Sequence, residues 1–145
     1  MPRKKQSSKR RKKYLRLCKI IRIGKFGKVY ACVNPDDAIK QLLKEKTGEV
    51  QAVIVRNDIG PIDFVYGKIG PDGYGIAHIA SEHPEILKKL SHLLEEGELI
   101  KKTPHRAYLE INNGRAIMSL DWFGEGKTWV LTAYNKNPVL DSDMK

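Results

Sequence analysis

The chain has 145 residues, which is enough for one ordinary hydrophobic core and too few for two comfortable ones. Its formal net charge of +10 favours a polyanionic partner. There is no apolar run of about 18 residues, as a membrane span needs, and the basic N-terminus lacks the apolar segment of a secretion signal. From these features we expect a soluble protein that is made in a cytoplasm.

The positive charge is concentrated at the N-terminus. Residues 1–28 hold 13 Lys and Arg without any Asp or Glu, which leaves 14 basic against 17 acidic residues, a net charge of −3, for residues 29–145. Residues 1–13 are nearly devoid of apolar side chains and predict a disordered arm. Two roles stay open, a solubilising or localising tail and an arm that binds RNA phosphates. Its candidate nucleic-acid-binding residues are Arg3, Lys4, Lys5, Lys9, Arg10, Arg11, Lys12 and Lys13.

Two apolar-rich runs, residues 14–23 and 26–33, flank a glycine-containing turn and predict an N-terminal β-hairpin. A turn centred on Lys25 places Cys18 opposite Cys32, within reach of a disulfide. Reduced, buried thiols are the default state in a chain without an export signal. The sequence therefore leaves the bonding of the two cysteines open, with the reduced state expected.

The central part of the chain alternates helix and strand signals. Asn34 followed by Pro35 and two aspartates predicts the start of a helix that ends before Gly48. Strands are predicted over residues 50–56 and 62–67, a glycine-rich loop over 67–75, and helices over 76–82 and from Pro84 to Gly97. The loop lacks the Lys-Ser/Thr ending of a phosphate-binding P-loop, so it is interpreted as a connection.

Four strand-like segments follow, at residues 98–103, 106–111, 115–122 and 128–134, with short turns between them. The pattern predicts an α+β fold in which short helices pack on an antiparallel four-stranded β-meander, with the N-terminal β-hairpin in addition. We expect a single domain over residues 14–137 and a flexible C-terminal tail over 138–145.

Alternation along these strands predicts which side chains are buried. The apolar face should carry Trp129, Leu131 and Ala133, and a common core should contain Leu90, Leu94, Leu109, Trp129 and Leu131. The opposite face should carry Arg106, Glu110, Thr132 and Tyr134. Such a polar face can simply face water, but its content of Arg, Thr and Tyr favours a phosphate site.

Several separated motifs resemble a known family. They are GEVQA at residues 48–52, GPIDFVYG at 60–67, GYGIAHI at 73–79, HPE at 83–85, Arg106, the strand at Arg115, LDW at 120–122 and KTWVLTAY at 127–134. Together they are similar to the phage-associated branch of the barnase/EndoU/colicin/RelE-like nuclease superfamily, over roughly residues 36–135. The resemblance implies a helix-then-meander fold and an endoribonuclease, often a toxin carried by a phage or mobile element.

Metal-independent RNA cleavage uses the 2′-hydroxyl as nucleophile and needs a general base, a general acid and donors to the phosphate. Histidine suits the acid and base roles because its ordinary pKa is about 6.5. Arginine and lysine can neutralise phosphate oxygens, hydroxyls can donate to them, and a glutamate can be the base if a histidine is the acid. The candidate catalytic residues are His78, His83, Arg106, Glu110, Arg115, Lys127, Thr132 and Tyr134.

Each histidine alone is more often structural than catalytic, and the position of Arg115 depends on a strand register that the sequence leaves open. On a helix His78 and His83 would point about 140° apart, which disfavours a zinc pair, so no metal or cofactor is expected. The expected partners are RNA, such as tRNA or mRNA, and a cognate immunity or antitoxin protein. A non-catalytic nucleic-acid-binding module and a structural protein of a phage or mobile element are the alternatives.

Overall fold

The structure, a computed structural model, describes residues 18–136. The predicted basic arm and C-terminal tail, and the predicted first residues of the hairpin, lie outside the described residues. The strands are β1 Cys18–Gly24, β2 Gly27–Cys32, β3 Glu49–Arg56, β4 Gly60–Val65, β5 Glu98–Lys102, β6 Arg106–Ile111, β7 Gly114–Trp122 and β8 Glu125–Asn135. The helices are α1 Pro35–Glu45, α2 Gly75–Glu82, α3 Pro84–Leu87 and α4 Leu90–Glu96.

All eight strands form one mixed sheet in the order β1-β2-β3-β4-β8-β7-β6-β5. The last four strands are neighbours with antiparallel pairing, as expected. The prediction of a four-stranded meander beside a separate hairpin is nevertheless wrong, because β2 pairs with β3 and β4 pairs with β8, both in parallel. These two pairings join segments that are distant in sequence, and local side-chain patterns carry no information about them.

The N-terminal hairpin places Cys18 opposite Cys32, as predicted. The predicted turn centred on Lys25 is wrong, because Gly24 pairs with Gly27, and a bulge between Ile20 and Arg22 compensates for the shift of one residue. The two cysteines have Cα atoms 4.0 Å apart and are joined by a disulfide. The expectation of reduced, buried thiols is therefore wrong in this structure, and both residues are only half-buried. The bond connects the first described residue of β1 to the last residue of β2.

Helix α1 begins at the capping signal of the sequence. The Asn34 side chain accepts a hydrogen bond from the backbone N–H of Asp37 at 2.9 Å, which caps α1 as predicted. The helix predicted from Pro84 to Gly97 is interrupted, so α3 and α4 are separate short helices. Among the described residues, no helix has the length and apolar character needed to cross a membrane.

The core lies between the helices and one face of the sheet, and it includes Leu90, Leu94 and Leu109. A bulge in β8 changes which other side chains join them. Ile117 pairs with Thr132 and Met118 pairs with Val130, so Leu131 has no partner in the register. The core therefore receives Val130 and Ala133.

The predicted shared face of Trp129, Leu131 and Ala133 is wrong because the bulge shifts the alternation by one residue. Trp129 pairs with Ser119 and therefore shares the face of Thr132, away from the main core. There it is buried against other aromatic rings. Leu131 is only half-buried.

A largely buried network of charged side chains connects β8 with β3 and β4. The Lys127 Nζ atom lies 2.5 Å from Glu49 Oε1 and 2.6 Å from Asp63 Oδ2, and it thereby connects β8 to β3 and β4. Burial lowers the pKa of Lys127, but its hydrogen bonds with Asp63 and Glu49 outweigh that effect, so the pKa is raised. The lysine is therefore charged in the folded protein.

Replacing Lys127 with Met should destabilise the protein by about 3 kcal/mol, because it leaves two buried carboxylates without their cation. Replacing Lys25 with Met is the matched control, since Lys25 forms an exposed ion pair with Glu125 that should contribute about 0–1 kcal/mol. Urea denaturation monitored by circular dichroism measures both changes in the free energy of unfolding. Equal losses in the two variants would contradict a structural role for the buried network.

Candidate functional site

Helix α2 lies against β8 where β4 has already ended. Strand β4 pairs with β8 only through Asp63 and Trp129, and α2 packs on the remainder of β8. The helix begins at Gly75, whose φ is +77° and whose missing Cβ would lie 2.7 Å from the carbonyl oxygen of Val65. Glycine is thus required for α2 to start so close to β4. This position brings His78 of α2, and His83 directly after the helix, to the face of the sheet opposite the core.

His78 is buried and held by the glycine-rich loop. Its Nδ1 atom lies 2.8 Å from the carbonyl oxygen of Gly70. A carbonyl can only accept a hydrogen bond, so Nδ1 carries the hydrogen of this contact and Nε2 is not used by it. The backbone N–H of Gly70 donates in turn to Ser81 Oγ at 3.1 Å. The loop therefore fixes both the orientation and the tautomer of His78.

His83 lies directly beside His78, with ring centroids 5.2 Å apart in an edge-to-face arrangement. Burial lowers the pKa of His83, and the neighbouring His78 lowers it further. Glu85 and Glu82 act in the opposite direction but do not compensate. His83 is consequently an imidazole that stays neutral at lower pH than an ordinary histidine.

Three polar residues form a row across the neighbouring strands on the same face. Glu110 of β6 pairs with Arg115 of β7, which pairs with Tyr134 of β8. Arg115 Nε donates to Glu110 Oε2 at 2.6 Å, and Arg115 Nη1 donates to the Tyr134 hydroxyl at 3.3 Å. Lys136 Nζ donates to the other Glu110 oxygen at 2.6 Å. The register that the sequence left open thus places Arg115 between Glu110 and Tyr134.

The histidine pair and this row are contiguous, because the ring of His83 lies 5.7 Å from that of Tyr134. The hydrogen bond from Lys136 and then that from Arg115 lower the pKa of Glu110 against the opposing effect of burial. Glu110 is therefore a carboxylate that holds two cations. We call the set of His78, His83, Glu110, Arg115, Tyr134 and Lys136 the histidine–arginine cluster.

Thr132 shares this face of β8, two residues from Tyr134. Its hydroxyl oxygen is buried and has no hydrogen-bond partner among residues 18–136. A buried hydroxyl without a partner is destabilising unless something binds to it. The structure therefore places Thr132 on the face of the cluster with its hydroxyl enclosed by protein.

Two predicted phosphate contacts lie elsewhere. Arg106 is four residues from Glu110 along β6, about 13 Å away, and its guanidinium donates to the backbone carbonyl of His105. Lys127 is seven residues from Tyr134 along β8, about 23 Å away, and is bound to Glu49 and Asp63. The structure therefore brings together His78, His83, Glu110, Arg115 and Tyr134 but not Arg106 or Lys127.

Sequence reasoning missed two contributors to the cluster. Lys136 follows the last strand and was not considered, although it is two residues beyond Tyr134 and strand alternation places both on one face. Gly70 was interpreted as part of a simple connection, and no sequence signal indicates that its carbonyl binds His78. Within the described part of the chain, no three His, Cys, Asp or Glu side chains are grouped as a metal site would require.

Replacing His78 with Asn should raise the pKa of His83, because the substitution removes the positive charge that disfavours a second one nearby. Burial still lowers the pKa in the variant, and Glu85 and Glu82 still raise it, so only the direction of the change tests the coupling of the two rings. NMR titration of the His83 ring protons in both proteins measures the difference. An unchanged or lower pKa in the variant would show that the two rings are not coupled.

Comparisons with known proteins identify the family. The chain matches no curated protein and no solved structure. The family model described as phage-Barnase-EndoU-ColicinE5/D-RelE like nuclease1 matches residues 53–139, which is more than half of the chain. The matched range starts within β3 and contains every residue of the histidine–arginine cluster. The chain therefore belongs to the phage Barnase-EndoU-ColicinE5/D-RelE-like nuclease 1 family.

Proposed function

We propose that this nuclease is a metal-independent endoribonuclease that leaves a 2′,3′-cyclic phosphate. The observation that carries the proposal is the contact between the coupled histidines and the row containing Arg115. This arrangement offers two groups for proton transfer and a fixed cation for the phosphate within one surface. Cleavage through the 2′-hydroxyl requires these three components and supplies its own nucleophile.

The two histidines can divide the proton transfers. Because its pKa is lowered, His83 is neutral near pH 7 and can accept the proton of the 2′-hydroxyl as that oxygen attacks phosphorus. The bond from phosphorus to the 5′-oxygen then breaks, and protonated His78 donates the Nε2 proton to the leaving oxygen. His78 is suited to this role because the Gly70 carbonyl holds its ring through Nδ1.

Arg115 is suited to bind the phosphate because its orientation is fixed beforehand. Among the described residues three of its five N–H groups are engaged, with Glu110 and Tyr134, and two remain to donate to phosphate oxygens. Both oxygens of Glu110 are bound to cations, so we assign Glu110 the role of positioning Arg115 and Lys136 rather than that of general base.

Incubation with single-stranded RNA in EDTA should give products that end in a 2′,3′-cyclic phosphate, and single-stranded DNA should not be cut because it lacks the 2′-hydroxyl. His83→Ala and His78→Ala should each lower kcat by about 10²–10⁴. On the acid side, the midpoint of the pH profile of kcat/KM should lie below the ordinary pKa of histidine. Activity is lost there only when His83 becomes protonated, and the pKa of His83 is lowered. Mapping of cleaved ends and single-turnover rates test these outcomes.

Arg115→Gln should lower kcat by a similar factor, whereas Arg106→Gln is the matched control and should cost much less, because Arg106 shares the face but lies far from the histidines. Thermal melting of both variants separates loss of chemistry from loss of fold. Cleavage of DNA, loss of activity in EDTA, or an undiminished rate in a double His78→Ala, His83→Ala variant would each contradict the mechanism. RNA affinity without any cleavage would instead favour a non-catalytic binding module.

We also propose that residues 1–13 increase RNA affinity through phosphate contacts. Eight Lys or Arg lie among residues 2–13, and each phosphate contact releases counterions, which makes binding strongly salt-dependent. Deletion of residues 2–13 should weaken RNA binding at low salt and reduce the slope of log Kd against log salt. Fluorescence anisotropy over a salt series measures the slope. Equal slopes for the full-length and shortened proteins would exclude the arm as an RNA contact.

The biological setting follows from the same proposal. An enzyme that cuts tRNA or mRNA in the cytoplasm would act as a toxin, and a cell that makes it would need an immunity or antitoxin protein. The family's association with phages is consistent with that setting.

A further inference from the structure

The turn between β7 and β8 holds an aromatic residue in an unfavourable backbone conformation. Trp122 pairs with Glu125, so Phe123 and Gly124 form a two-residue turn, and their φ angles are +47° and +85°. Such turns favour Asn-Gly, because a bulky side chain is strained at positive φ. The Phe123 ring is nevertheless 88% exposed, so burial does not offset the strain. Strain of this kind in a native protein points to a functional role for the side chain.

The exposed ring continues a series of packed aromatic rings. Phe123 lies 4.8 Å from Trp122, centroid to centroid, and Trp122 lies 4.5 Å from Phe26 and 5.8 Å from Trp129. Tyr74 packs on Trp129 at 5.7 Å. Trp122 packs on Phe26 and Trp129, and it supports the exposed ring of Phe123 from below. We call Phe26, Trp122 and Phe123 the aromatic tip.

The aromatic tip and the histidine–arginine cluster lie at opposite ends of one face of β8. The bulge at Leu131 places Trp129, which packs under the tip, on the same face as Thr132 and Tyr134. Nine residues separate Glu125 from Tyr134, which is about 30 Å of strand. The lysines next to the tip are both paired, Lys25 with Glu125 and Lys127 with two carboxylates, so the tip offers stacking surface and no free cation among the described residues. The cluster and the tip therefore share one face of the sheet at a distance that only a ligand several units long can span.

We infer that the aromatic tip is a subsite that stacks an unpaired base of the RNA substrate, remote from the scissile phosphate. The inference rests on the proposed function, because it takes single-stranded RNA as the ligand of this face. A base fits the site because every base has a flat π-face that stacks on an exposed aromatic ring, whatever its sequence. A paired base lies within its own helix and cannot stack on Phe123 in this way.

The test is the affinity of full-length variants for a single-stranded DNA oligonucleotide, which has the same stacking bases but lacks the nucleophile for cleavage. Phe123→Asn should lower affinity about 5- to 100-fold, and Phe123→Trp should retain it. Because Asn adopts positive φ more readily than Phe, the Asn variant should melt at the same temperature as the parent or higher. Val55→Asn is the matched control, at an exposed apolar position on β3, and should bind as the parent does.

Unchanged affinity of Phe123→Asn would overturn the inference, and so would an equal loss for the matching duplex. A change confined to self-association, measured by sedimentation, would assign the tip to a protein contact and also overturn it. The assay does not depend on catalysis. If the parent protein binds the oligonucleotide through Phe123 but cuts no RNA, the subsite is supported and the proposed nuclease mechanism is contradicted. Failure of the one proposal can therefore be distinguished from failure of the other.

Discussion

The parallel pairing between β4 and β8 is the constraint on which the rest of the structure depends. It joins the first four strands to the C-terminal meander through a single residue pair, Asp63 with Trp129, supported by the ion pairs of Lys127. Because β4 ends at Val65 while β8 continues to Asn135, the later part of β8 is left open along that edge. Helix α2 occupies this position, and His83, the residue that follows it, reaches Tyr134 for that reason.

The bulge at Leu131 has an equally large consequence. One extra residue exchanges the faces of the side chains before it, so Val130 instead of Trp129 enters the core. The large indole then packs on the opposite face and forms the base of the aromatic tip. A regular strand would have buried that ring under the helices. The functional face would then lack its aromatic end.

The electrostatics of the histidine–arginine cluster suit an anionic ligand although residues 29–145 carry a net charge of −3. One carboxylate, Glu110, faces two cations, Arg115 and Lys136, and fixes both in place. Two further carboxylates, Glu82 and Glu85, act on His83 from nearby. The neutral His83 beside them avoids a third charge because burial and His78 lower its pKa. Binding of an anion would therefore depend on these two oriented cations and not on a positive field of the whole domain.

The sequence by itself determined the individual elements, because each depends on neighbouring residues: the Asn34 cap, the Cys18 to Cys32 register and the four C-terminal strands all follow from local patterns. It also supplied His78, His83, Glu110, Arg115 and Tyr134 as candidates from their chemistry. Only the tertiary structure decided that eight strands form one sheet, that Arg106 and Lys127 lie apart from the histidines, and that Lys136 joins them. The reason is physical, since parallel pairing, a bulge and a helix packed on a strand edge all depend on contacts between residues that are distant in sequence.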